Sequence, residues 1–211
     1  IGRQSFGLVT PAIAVLVLLY VLLSLSTGAI EKFSVTALVE GEGVPLAQAN
    51  AGLTAFLFAS AIGVLAGGVL ADRTRRHGLV AAGAFAMAGL LIAAVASFRM
   101  PPVLLVACLG AAGFLTGVIA PSRDMLVRAA APPGAEGRIF GIVSTGFNIG
   151  GAIGPILFGW LLDRGRFGAV FWASVGFMAL TVCLVLWQEH RARGRRAAMP
   201  VAAVHGSAAP P

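Results

Sequence analysis

Six long apolar runs, near residues 8–30, 46–70, 79–97, 102–120, 138–162 and 168–187, constrain this chain more than any motif does. A bilayer core about 30 Å thick takes roughly 20 residues of α-helix at a rise of about 1.5 Å each, and every run is close to or above that length. None shows the period-two alternation of a membrane β-barrel. Composition agrees: 58% of the 211 residues are hydrophobic, 11% are charged and the mean hydropathy is +0.93, values foreign to a domain that folds in water. The expectation is an all-α membrane protein with six transmembrane helices in residues 1–187. A tail over 188–211, first basic and then Ala/Pro-rich, should lie on the membrane surface and then become disordered.

The net charge of +7 does not point to nucleic acid, because the 15 Lys and Arg residues fall in short clusters between apolar runs and so read as orientation signals. With an even number of spans both termini share a side. That side carries eleven of the fifteen: Arg3, Arg73, Arg75, Arg76, Arg123, Arg128, Arg138, Arg191, Arg193, Arg195 and Arg196. Lys32, Arg99, Arg164 and Arg166 lie opposite. Both termini are therefore expected in the cytoplasm. Ile1 is no initiator and no signal-peptide region precedes the first run, so the chain is expected to be cut from a longer one. Cys108 and Cys183 lie within apolar runs, read as small buried hydrophobes, and have no metal-ligand spacing.

Between the second and third runs stands Gly68-Val-Leu-Ala-Asp72-Arg73-Thr-Arg75-Arg76-His77-Gly78, a cluster of charge that cannot lie in hydrocarbon. It resembles the loop signature of the major facilitator superfamily of transporters, matched by Gly68, Asp72, Arg73 and Arg76. Arg75 stands where that family usually has Gly, and His77 where it has Arg or Lys. The pattern recurs after the fifth run as Gly159-Trp-Leu-Leu-Asp163-Arg164. Two copies, each following the middle helix of a three-helix unit, are what an inverted repeat places on opposite sides of the membrane. This also explains why Arg164 and Arg166 disobey the charge bias.

Gly141, Gly150, Gly154, Pro155 and Gly159 in the fifth run suit close helix packing and a bend at Pro155. Their spacing is similar to the glycine-proline signature of proton-coupled drug antiporters, with Phe158 in place of one glycine. Close packing and an antiport-specific role both remain open. Ser24, Ser26 and Thr27 face a polar cavity or bond back to their own helix, and Thr116, Ser144, Thr145 and Asn148 pose the same alternative. Glu31 and Lys32 end the first run, and counting from Val9 puts Glu31 about 33 Å along it, near the outer interface. Glu31 is either an interfacial acid or a proton-coupling group. Trp160, Trp172 and Trp187 read as an interfacial belt. Pro121-Ser122-Arg123-Asp124 should close the fourth run, with Glu136-Gly137-Arg138 opening the fifth. The resemblance implies a charge cluster of Asp72, Arg73, Arg76, Arg123, Asp124 and Arg138, with Asp124 paired to Arg73 or Arg76; independently solvated charges are the alternative.

An enzyme is not expected. No His lies in an apolar run, since His77 is in a loop and His190 and His205 are in the tail. Ser144, in Gly141-Ile-Val-Ser144-Thr-Gly146, lacks a nucleophile elbow and a base. No cofactor or metal is implied. The resemblance implies one six-helix half, expected to be the C-terminal half, of a secondary transporter in a bacterial inner membrane. Such a protein moves a small-molecule substrate by alternating access, coupled to protons, with drug or metabolite efflux among the expectations. Its partners would be the lipid bilayer and the other six-helix half, not nucleic acid. The first and fourth runs would line its cavity. The alternative is a scaffold without transport, or a half-size protein acting as a homodimer.

Overall fold

The computed structural model describes residues 11–74, 77–131 and 134–197. Helix α1 (Pro11–Thr36) runs into a π-helical turn (Ala37–Gly41), followed by α2 (Leu46–Arg73), α3 (His77–Ser97), α4 (Pro102–Ala130), α5 (Glu136–Asp163) and α6 (Phe167–Ala197). No strand occurs among the described residues. Six of these helices are long and apolar enough to cross a membrane, so the chain is a multi-pass membrane protein. Short links make sequential helices antiparallel. The α2–α3 and α4–α5 links share one end of the bundle, here the Asp72 end; the α1–α2, α3–α4 and α5–α6 links form the Glu42 end.

Three helices outrun the apolar stretches that foretold them. α1 does not stop at Glu31 and Lys32, because Ser34, Ala37 and Leu38 beyond them are buried at 1% exposure or less and hold the helix to Gly41. Glu31 is therefore inside a helix rather than at its end. α4 passes through Pro121 instead of closing there, with Ser122 and Val127 buried on the far side of the proline. Proline removes one backbone bond, but its fixed φ is itself helical. α6 continues past 187 to Ala197, so His190 is helical, as is His77 at the start of α3. Residues 198–211 lie outside the described residues.

The two helices that carry the repeat motifs end differently. After α5, Gly165 has φ +69°, its N–H donates to the Leu162 carbonyl (2.8 Å) and the Arg166 N–H to the Leu161 carbonyl (2.9 Å). That pair of bonds is the left-handed glycine stop of a helix. After α2, Thr74 instead leaves in extended conformation, φ −117° and ψ 127°.

α2 packs chiefly on α4, α1 on α5, α3 on α4, α1 on α6, and α3 on α6. Exchanging α1 with α4, α2 with α5 and α3 with α6 maps this set of pairings onto itself, the relation that two inverted three-helix units require. Within lipid, apolar burial does not drive helices together, so close packing has to. A Cβ on Gly63 would strike the Phe114 carbonyl, and one on Gly67 would lie 2.5 Å from the Val118 carbonyl. Reciprocally, Cβ atoms on Gly113 and Gly117 would strike the carbonyls of Phe56 and Ser60. On the other pair, a Cβ at Gly146 would lie 2.5 Å from the Val17 carbonyl, and one at Gly150 2.7 Å from the Val21 carbonyl.

These contacts correct the glycine expectations. Gly141 and Gly159 have open space where a Cβ would go, Gly154 makes only ordinary contact at 3.8 Å with Leu25 and Phe158, and Gly150 alone of the four is sterically required. Phe158 is fully buried, 5.6 Å from the Phe33 ring and edge-on to Phe177 at 6.4 Å, joining α5 to α1 and α6. Of the cysteines, Cys108 is half-buried and Cys183 exposed, so neither is a core residue. The three tryptophans are all exposed, and Trp160 and Trp187 carry the guanidinium groups of Arg164 and Arg191 over their rings at 4.2 and 3.9 Å.

Candidate functional site: a polar cleft between α1 and α5

The glycine approach of α5 to α1 brings backbone to backbone near Val17 and Val21, and beyond Ser24 the two helices leave a cleft of about 80 Å³. Its walls include Ser24, Glu31, Lys32, Phe33, Phe147, Gly151 and Pro155. The buried Ser24 hydroxyl donates across the seam to the Phe147 carbonyl at 2.9 Å. Glu31 and Lys32 are exposed at the cleft, and no ion pair joins them. Pro155 has no N–H, so the Gly151 carbonyl lacks its usual helical donor. An acid and a base therefore border one recess within membrane-spanning helices.

The remaining hydroxyl candidates do not join this cleft. Ser26 and Thr27 bond back to the Leu22 and Leu23 carbonyls at 2.7 and 3.1 Å, and Thr116 to the Gly113 carbonyl at 2.7 Å. Thr145 bonds to Gly141 at 3.2 Å, and Asn148 is exposed away from the recess. Such back-bonding satisfies a hydroxyl in an apolar setting without a ligand. Ser174 of α6 reaches the Ser26 carbonyl at 2.7 Å and locks α6 to α1. The Ser34 hydroxyl is buried with no hydrogen-bond partner among the described residues.

A second polar node joins α1 to α4 nearer the Asp72 end. Asp124 Oδ1 accepts from the Tyr20 hydroxyl and from Arg123 Nε, each at 3.1 Å, while the Arg123 guanidinium lies 4.7 Å from the centre of the Tyr20 ring. Asp124 thus takes its arginine from its own helix and is not bridged to Arg73; α4 runs on past it to Ala130 instead of ending there. Arg76, the other expected partner, lies outside the described residues, as does Arg75. Asp72, Arg73 and Arg138 are exposed around the same end, and Asp163 and Arg164 are exposed at the opposite end. Tyr20 was not singled out from sequence; as the one tyrosine of the chain, set in an apolar run, it was a detectable signal. So were the four-residue glycine spacings Gly63/Gly67 and Gly113/Gly117.

Outside the spans, burial pushes the Glu42 carboxyl above the usual carboxylate range, partly opposed by the Arg99 cation on the neighbouring link. Among the described residues no group of three or more His, Cys, Asp or Glu side chains is placed to hold a metal ion.

Comparison with curated proteins finds no match. The family model described as Major Facilitator Superfamily matches residues 6–205, nearly the whole chain. Members of that family are transporters rather than enzymes, and six helices of inverted-repeat pairing amount to half of its fold. On that match, and with a bundle and an intramembrane polar cleft that agree with it, the chain belongs to the Major Facilitator Superfamily.

Proposed function

We propose that this chain is the C-terminal six-helix half of a proton-coupled secondary transporter that moves a small solute by alternating access across a bacterial inner membrane, with both termini in the cytoplasm. The observation that carries the reading is the cleft bordered by Glu31 and Lys32 on a membrane-spanning helix, with no direct ion pair between them. Ionisable groups there are costly and mark the paths of ions or substrates. The orientation follows from the basic residues clustered at the Asp72 end. Efflux of a drug or metabolite is one direction that such a cycle can run.

In proteoliposomes of the full-length protein, an imposed pH gradient is expected to drive accumulation of a solute found by screening cationic dyes and small metabolites. Glu31→Gln should abolish the gradient dependence while leaving exchange at saturating solute intact. Normal gradient-driven transport by the variant would remove Glu31 from coupling. Cysteines introduced at His77 and Phe98 should label from opposite sides of the membrane, the His77 position from the cytoplasm.

A further inference from the structure

We propose that the α1/α5 cleft recognises a small zwitterion, a solute with an ammonium group and a carboxylate several bonds apart. The proposal rests on the transporter reading above and names the substrate class of the same cleft. Glu31 and Lys32 are consecutive on α1, so their side chains leave the helix about 100° apart. Both border the recess, and no ion pair joins them. A purely cationic solute would pair with Glu31 and bring nothing for the Lys32 ammonium; a purely anionic one would do the reverse. A zwitterion meets both charges and brings no net charge into the membrane.

The facing wall supports this assignment. Gly151 and Pro155 of α5 close the cleft opposite the two charges without adding a charged group. Ser24 does not compete, because its hydroxyl is already committed to Phe147. Phe33 and Phe147 contribute apolar walls to the same cleft, suited to the methylene chain that separates the two charges. Polar groups at the charged ends and apolar sides between them are the usual construction of a small-molecule site.

The test uses the full-length protein in lipid nanodiscs and three probes of matched length: 4-aminobutyrate, butylammonium and butyrate. Affinity is read from the saturable rise in thermal unfolding midpoint. 4-Aminobutyrate is expected to bind at least tenfold more tightly than either single-charge analogue. Glu31→Gln should reduce its affinity to that of butyrate, and Lys32→Gln to that of butylammonium, while Glu31→Asp, which keeps the charge and controls for folding, should retain the preference. Equal binding of the three probes, a preference that survives both neutralising variants, or no stabilisation by 4-aminobutyrate would each overturn the proposal. If the same preparation moves another solute in response to a gradient but ignores 4-aminobutyrate, the zwitterion site fails and the transporter reading stands. If charge-dependent binding is found but no solute crosses the vesicle membrane, the site stands and the transporter reading fails.

Discussion

The α2/α4 and α1/α5 seams both join the two inverted units and are exchanged by the repeat, yet they are built oppositely. Along α2/α4 both helices contribute glycines, Gly63 and Gly67 facing Gly113 and Gly117, so main chain meets main chain over two turns. Along α1/α5 only α5 contributes them, at Gly146 and Gly150, and α1 answers with Val17, Val21 and Ser24. The first seam has no space for a ligand and none for a side chain. The second is closed over its first turns and then opens at Glu31 and Lys32. A shared topology thus yields one rigid contact and one recess, and the difference lies in whether glycine stands on one helix or on both.

The largest effect should come from filling the tighter seam. Gly117→Leu puts a side chain into the Ser60 carbonyl and is expected to destabilise the bundle by about 3 kcal/mol or more, because backbone cannot move aside as a side chain can. Gly150→Leu, where Ser24 Cβ and the Val21 carbonyl each lie 2.7 Å from the added atom, should cost about 1–3 kcal/mol, since this approach is less close than the one at Gly117. Gly141→Leu meets open space and should change stability by less than about 0.5 kcal/mol. Reversible unfolding in mixed micelles would rank the three, and a Gly141 variant as damaging as the Gly117 variant would break the comparison.

Smaller effects sharpen it. Tyr20→Phe removes the hydroxyl bond to Asp124 and leaves the ring beneath Arg123, so a loss of about 0.5–1.5 kcal/mol is expected, reduced by the 39% exposure of the Asp124 side chain. No change in unfolding would show that the α1/α4 node is ornamental. The smallest effect should come from Glu42. Its folded carboxyl is raised by burial, so the charged form is disfavoured in the folded state and the resulting penalty is complete above the raised value and absent below the unfolded one. Stability should rise slightly as pH falls through that range, and Glu42→Gln should flatten this dependence. A slope of opposite sign in the difference between parent and variant would mean that Arg99 outweighs burial.

The six crossings were legible because bilayer thickness imposes one length on any apolar helix, and this holds whatever the neighbours are. The G-x-x-x-D-R copies were legible for a related reason: charge must leave hydrocarbon, so it marks helix ends even where Gly165 and Thr74 end those helices by different geometries. Helix ends set by packing were not. Ser34 and Leu38 carry α1 past Glu31, and Val127 carries α4 past Pro121, through burial that no local pattern announces.

Hydropathy and charge spacing by themselves determined a six-helix membrane protein and the candidate polar residues, because transfer into lipid is a property of each segment alone. Only the tertiary structure decided which glycines touch a neighbour, that Asp124 takes Tyr20 and Arg123 as partners, and that Glu31, Lys32 and Gly151 share one recess. Those facts depend on the rotation and depth of one helix against another, and in lipid these are set by close packing, a relation between segments that no single segment contains.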